Sequence, residues 1–151
     1  MPRPIPVLVC AILTACLALL PCAAPAQDHT LEAGWIAFDD AGTGRITNQT
    51  LSIPLRTDAD FYWGVILTPQ DSEEHTLTIV LRLPSPPQDI GSGWSTAVDD
   101  NQTLTGAVTG TGPLVAPVSF DQADPLGQWV MDVYLDGRHL DTLRFEVTAK
   151  E

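Results

Sequence analysis

The chain has 151 residues, with 7 lysines and arginines against 19 aspartates and glutamates, so its formal net charge is -12. This acidity argues against a nucleic-acid binder, because phosphate contacts need a basic face. It argues equally against electrostatic docking on anionic lipid. Hydrophobic residues make up 44% of the sequence, too many for a disordered acidic tail, so a globular protein is predicted.

The first element of the chain is predicted to be a secretory signal peptide at residues 1–26. Arg3 gives it a positive start, an apolar run follows from Ile5 to Leu20, and Ala24-Pro25-Ala26 forms a small-x-small cleavage pattern. The run is shorter than the roughly 20 apolar residues that a membrane span needs, and no second run follows it. We therefore expect an exported protein, periplasmic or extracellular, whose mature chain has no transmembrane segment.

A lipoprotein signal is the alternative for the same segment. Leu13-Thr14-Ala15-Cys16 resembles a bacterial lipobox, which would leave the chain lipidated at Cys16, although the residues that follow are apolar where lipoproteins usually have a polar tether. All three cysteines precede residue 27. Cleavage after Ala26 thus leaves a mature chain with no disulfide and no thiolate metal site.

Alternation of apolar and polar residues predicts strands along the rest of the chain, and no window has apolar residues at helical spacing. Turn-forming residues separate the strands, and they include the Pro- and Gly-rich stretch 84–93, which is predicted to be the longest loop. The clearest runs are 51–55, 61–68, 76–83, 103–109, 129–136 and 143–148, with less regular ones near 31–38 and 115–120.

Three local signals refine this pattern. Asp136-Gly137 between two alternating runs predicts a hairpin with a type I′ turn. Pro54 and Pro117 lie inside strand-like runs and predict edge strands, where a missing N–H is tolerated. The predicted fold is all-β: a single antiparallel, immunoglobulin-like β-sandwich of seven to nine strands over residues 27–151.

Several motifs resemble one family of small exported bacterial domains. They are, in chain order, Gly34-Trp35-Ile36, Ser52-Ile53-Pro54, Phe61-Tyr62-Trp63-Gly64-Val65, Pro125-Leu126-Gly127-Gln128-Trp129 and Phe145-Glu146-Val147. In these features the sequence is similar to the bacterial domain-of-unknown-function family 3859. The resemblance implies an immunoglobulin-like fold and export. It implies no mechanism, because that family has no established activity.

Motifs for catalysis are not found in the sequence. It contains no G-x-S-x-G, no H-E-x-x-H and no CxxC, and none of its three histidines has a second histidine at ligand spacing. His75 follows two glutamates, which is typical of a surface charge cluster, with a carboxylate–histidine site as the alternative. No catalytic residue is therefore predicted.

Two weak candidates for binding sites remain. Acidic residues cluster at predicted turns, and Asp99, Asp100 and Asn101 are the first choice for a calcium site, although aspartate and asparagine are also ordinary turn residues. Tyr62 and Trp94 are the candidates for an exposed aromatic platform that binds a glycan, whereas the alternative is that Trp94 caps the core.

The function expected from these patterns is that of a non-catalytic exported domain that binds a protein partner or supports the envelope, with no cofactor. A carbohydrate-binding module that uses Tyr62 and Trp94 is the first alternative. A hydrolase that uses paired carboxylates is the second alternative.

Overall fold

The computed structural model describes residues 28–55, 62–97 and 100–149. The predicted signal peptide, its cleavage site and Cys16 lie outside these ranges. Within them the chain forms ten strands, and no helix there is long and apolar enough to cross a membrane. The strands are β1 (His29–Phe38), β2 (Gly44–Asn48), β3 (Ser52–Pro54), β4 (Tyr62–Pro69), β5 (Glu74–Arg82), β6 (Ser95–Ala97), β7 (Asp100–Thr111), β8 (Leu114–Ser119), β9 (Gly127–Leu135) and β10 (Arg138–Thr148).

The strands form two sheets. The four-stranded sheet has the order β2-β1-β4-β8, and the six-stranded sheet has the order β3-β10-β9-β5-β7-β6. The pairs are antiparallel, except that β3 runs parallel to β10. The all-β, immunoglobulin-like sandwich is thereby confirmed, with one parallel pair at a sheet edge.

The described residues form ten strands, against the seven to nine predicted, because two short strands carry no clear alternation. Gly44–Asn48 contains a single apolar residue, and Ser95–Ala97 has only three residues, so pairing with β1 and β7 defines them as strands. Asp100 and Asn101 also differ from the prediction of a turn. They are the first two residues of β7, and Asp100 pairs with Ala97 of β6.

The local turn and edge predictions are confirmed. Asp136 has φ 49° and Gly137 has φ 80°, as a type I′ turn between β9 and β10 requires. Pro54 lies in β3 and Pro117 in β8, and both strands are at sheet edges. A proline at either place removes no ladder hydrogen bond that a neighbouring strand needs.

The core lies between the sheets and is centred on three aromatic rings. Phe145 of β10 packs against Trp63 of β4, with ring centroids 4.2 Å apart, and against Trp129 of β9 at 5.9 Å. Both indoles also donate hydrogen bonds of 2.8 Å to loop carbonyls, Trp63 Nε1 to Thr50 and Trp129 Nε1 to Pro125. The two tryptophans thus fix neighbouring loops as well as filling the core.

Candidate functional site: a groove between β1 and β10

The sandwich is open on the side where β1 and β10 face each other. β4 pairs with β1 along His29–Ile36, but β2 pairs only with the later part of β1, Trp35–Phe38. In the described ranges, no strand therefore covers the second edge of residues 29–34. β3 likewise covers only Glu146–Thr148 of β10, which leaves residues 138–145 without a described strand on that side.

A groove of about 540 Å³ runs between these two uncovered edges. Four apolar side chains that pack against the core form its floor, two from each sheet, and polar residues line the rest of the groove. The four apolar residues are Leu31, Ala33, Leu140 and Leu143. Leu51 adds apolar surface at one end of the groove and is 53% exposed.

Gln49–Leu51 closes one end of the groove, where the chain crosses from one sheet to the other. The crossing is tied to both sheets: the Thr50 carbonyl accepts from the Trp63 indole at 2.8 Å, and the Leu51 carbonyl accepts from the Glu146 N–H at 2.8 Å. Gly34 permits this path, because a Cβ there would lie 2.2 Å from the Asn48 carbonyl oxygen. This end of the groove is therefore held by the Trp63 indole and by a backbone hydrogen bond from β10.

The opposite end of the groove lies beside an ion pair. Arg138, the first residue of β10, donates from Nη2 to the Asp28 carboxylate at 3.0 and 3.2 Å. His29 lines the groove there, and its Nδ1 lies 2.7 Å from Asp28 Oδ1. The bonds from His29 and Arg138 hold the pKa of Asp28 below its ordinary value.

The two walls of the groove differ in their capacity to pair with another strand. β10 has a bulge between His139 and Asp141, and the Thr142 N–H donates to Asp141 Oδ1 at 2.7 Å. A bulge and a capped N–H both discourage strand pairing. β1 keeps an unbroken register with β4 over His29–Ile36, so its free edge is extended and regular.

Acidic side chains flank the apolar floor. Glu32 of β1 and Asp141 of β10 are exposed, and both line the groove, one from each wall. The whole chain carries a formal net charge of -12. The groove therefore presents apolar surface between carboxylates, which favours an occupant with apolar and basic side chains.

His75 is held by two carboxylates at the turns β4–β5 and β9–β10. Its Nδ1 lies 2.7 Å from Asp136 Oδ2, its Nε2 lies 2.8 Å from Asp71 Oδ1, and its side chain is only 14% exposed. The hydrogen bonds to Asp136 and then Asp71 raise the pKa of His75 to about 9, and the same bonds lower the pKa of both carboxyls. With both ring nitrogens bonded, neither is free to accept a proton from a substrate.

Asp132 is a buried carboxylate on the outer face of the six-stranded sheet. Arg82 Nη1 donates to its Oδ2 at 2.5 Å, and the Thr142 hydroxyl donates to its Oδ1 at 2.6 Å. Burial raises the pKa of Asp132, but the hydrogen bonds from Thr142 and Arg82 outweigh burial, and the pKa lies below its ordinary value. The residue links β5, β9 and β10 as a cross-strand brace.

Of the residues proposed for calcium, Asp100 is bonded within β7, Asn101 is exposed, and Asp99 lies outside the described ranges. Asp100 accepts the Thr103 hydroxyl at 2.6 Å and the Gln102 N–H at 2.7 Å, and these two bonds lower its pKa. Among the described residues no three histidines, aspartates or glutamates are placed to hold a metal ion, and calcium binding stays a prediction.

The two aromatic candidates do not line one groove. Tyr62 packs edge-on against Phe38, with ring centroids 5.6 Å apart. Trp94 lies against Gly106 in a second opening of about 220 Å³ whose lining does not include Tyr62. Trp94 is partly buried and packs against the core, so it caps the sandwich on the β7–β8 side. The glycan platform stays a prediction.

The β1–β10 groove is the feature that sequence patterns missed. Its floor residues follow the same alternation as ordinary core residues, and its shape depends on where β2 and β3 stop pairing. The alternation of Leu31 and Ala33 correctly indicates an inward face. Only the ladder contacts reveal that the edge beside that face has no described neighbour.

Together the two sheets and the groove define a small immunoglobulin-like β-sandwich domain. A family model described as the PM0630 beta sandwich domain matches residues 31–148, and the chain belongs to that family. Among solved structures, an immunoglobulin-like protein from Pseudomonas aeruginosa is 18% identical, with 78% of this chain and 91% of that chain covered and a TM-score of 0.46. No curated protein matches the sequence. Neither match carries the description of family 3859, and that resemblance stays a prediction.

Proposed function

We propose that this protein is an exported, non-catalytic domain that binds a protein partner in the groove between β1 and β10. The observation that carries the proposal is the groove itself. It combines an apolar floor, an exposed Leu51 and two strand edges without a described neighbour. Unpaired edges and exposed apolar surface are features that monomeric β-proteins usually suppress, so their combination favours a partner.

The polar clusters support a non-catalytic role. His75 has carboxylates on both ring nitrogens, and Asp132 has a donor on each oxygen, so both groups are used for structure. Acidic residues at turns are occupied in the same way: Asp39 Oδ1 accepts two backbone N–H groups at 3.0 and 2.8 Å. These bonds are the ordinary side-chain caps of turns.

A carboxylate-based hydrolase is the second candidate, and one observation favours it: Glu32 and Asp141 line opposite walls of the groove. Glycosidases place two carboxyl groups about 5 to 10 Å apart. Asp141 is, however, bonded to the Thr142 N–H. The test measures sugar release from a panel of glycans by the wild-type protein and by Glu32→Gln. Release by the wild type that the substitution abolishes would favour a hydrolase, whereas release at the level of the blank by both proteins would remove this candidate.

Export is part of the proposal and has its own test. Mass spectrometry of the protein from its native cells should find an N-terminus at Gln27, after Ala26. Detection of a peptide that begins with diacylglyceryl-Cys16 would instead indicate a lipoprotein anchored to the membrane. Detection of the intact Met1 in the soluble fraction would contradict export.

Site-specific photo-crosslinking in the producing cells tests the binding function. A photoreactive phenylalanine analogue replaces Leu51 in the groove, and the control places it at Leu126, which is 52% exposed against 53% and does not line the groove. The expected result is a discrete adduct with another protein from Leu51 and none from Leu126. Equal labelling from both positions, or none from either, would contradict the proposal.

A further inference from the structure

The free edge of β1 has the length and regularity of a strand-binding site. Residues 29–34 are extended and paired with β4 on one side only, and they span about 20 Å at about 3.3 Å per residue. β2 stops at Asn48, which pairs with Trp35, so a strand placed beside residues 29–34 would begin where β2 ends. The crossing Gln49–Leu51 and the Arg138–Asp28 ion pair lie at its two ends.

The groove dictates alternate side chains in such a strand. Residues of an added strand that point inward would meet Leu31 on their own sheet and Leu140 and Leu143 on the facing sheet, so apolar side chains are favoured there. Residues between them would lie beside Glu32, which alternates with Leu31 and Ala33 along β1 and is exposed at the rim of the groove. Opposite charges on neighbouring strands attract each other, so lysine or arginine is favoured there.

A second copy of this chain fits the groove poorly. Both walls carry carboxylates, Glu32 and Asp141, and the chain has a formal net charge of -12, so self-association would bring like charges together. The bulge and the capped Thr142 N–H also keep β10 from acting as the added strand. The occupant is therefore a different polypeptide with the opposite charge.

We propose that the groove binds an extended segment of a basic partner protein by strand addition to β1, next to residues 29–34. The segment has apolar residues at alternate positions and at least one lysine or arginine between them. Main-chain hydrogen bonds to β1 supply affinity, and the apolar floor supplies specificity. This inference rests on the proposed function, since it specifies the partner of the same groove.

The test uses a random dodecapeptide library displayed on phage and selected against the purified mature protein. The expected binders have alternating apolar residues and a net positive charge. Glu32→Lys should weaken their binding about fivefold, as reversal of one cross-strand charge pair predicts. The matched control is Glu74→Lys, which makes the same charge change at an exposed residue of β5 outside the groove and should leave binding unchanged.

Backbone methylation of a selected peptide tests strand addition itself. Two versions of the peptide are compared, one methylated at the odd-numbered amides and one at the even-numbered amides. One version should lose affinity about tenfold and the other little, because only alternate N–H groups of an added strand face β1. The inference would be overturned if the two methylated versions lost affinity equally, or if the selected peptides were helical or acidic. It would also be overturned if Glu32→Lys left peptide binding unchanged. A stable homodimer in sedimentation velocity that excludes the peptides would overturn it as well.

The two levels of the proposal fail separately. A specific adduct from Leu51 in cells, combined with peptides that ignore backbone methylation, would retain partner binding and remove strand addition. Strand-like peptide binding without an adduct in cells would retain the mode and remove the proposed partner function.

Discussion

Replacement of Trp63 by phenylalanine tests whether one side chain holds both the core and the end of the groove. Trp63 is fully buried, packs against Phe145 and donates to the Thr50 carbonyl at 2.8 Å. Phenylalanine has three fewer ring atoms, worth about 2 kcal/mol at about 0.8 kcal/mol for each buried CH₂-sized group. The lost hydrogen bond adds about 1 kcal/mol.

The expected loss for Trp63→Phe is about 3 kcal/mol in the free energy of unfolding, or about 10 °C in Tm for a domain of this size. Urea unfolding followed by circular dichroism measures it. Trp129→Phe is the matched control, since Trp129 is equally buried and donates to Pro125 at the same 2.8 Å. Both variants should lose similar stability, but only Trp63→Phe should weaken peptide binding in the groove. A loss below about 1 kcal/mol, or equal effects on binding, would refute the reasoning.

Three further predictions concern other parts of the fold. His75→Gln should lower Tm most at neutral and mildly acidic pH. The pKa of His75 is raised from 6.5 to about 9 in the folded protein, so the stability that the protonated ring contributes is complete below about pH 6.5 and is lost as pH rises through 9. The Tm values of the two proteins should therefore converge above pH 9. A difference in Tm that stays constant up to pH 10 would contradict the ion pairs. Gly34→Ala should destabilise the fold by about 2 kcal/mol, because the added methyl would lie 2.2 Å from the Asn48 carbonyl oxygen. The control is Gly110→Ala, whose methyl would meet only the Leu114 side chain at 3.5 Å. Equal denaturation midpoints of the two variants would refute the close approach. Gly106→Val should push the Trp94 ring, 3.1 Å from the Cβ position, toward solvent and raise its quenching by iodide, judged against Trp94→Phe; unchanged quenching would place the indole elsewhere.

The sequence was most informative where the physics is local. Alternation identified the inward faces of β4, β5, β9 and β10, because a half-buried strand must repeat every two residues. Asp136-Gly137 specified its own turn, since few residue pairs tolerate two positive φ angles. Pro54 indicated an edge because it has no N–H to donate.

Features that depend on distant neighbours were not accessible from the sequence. The three-residue strand Ser95–Ala97 exists because β7 pairs with it, and its own residues carry too short a pattern. His75 meets Asp136 across 61 positions of sequence, so no spacing rule reveals the pair. The groove depends on where β2 and β3 stop, which is a property of ladders and not of residue types.

Hydrogen exchange of β1 followed by NMR tests the open edge most directly. In the free protein, alternate amides of residues 29–34 should exchange rapidly because they face the groove, while residues 35–38, covered by both β2 and β4 or closed by the hairpin, should be protected. Addition of a peptide selected on the groove should slow those same amides. Uniformly slow exchange along His29–Phe38 in the free protein would contradict an open edge, and unchanged exchange with bound peptide would contradict strand addition to β1.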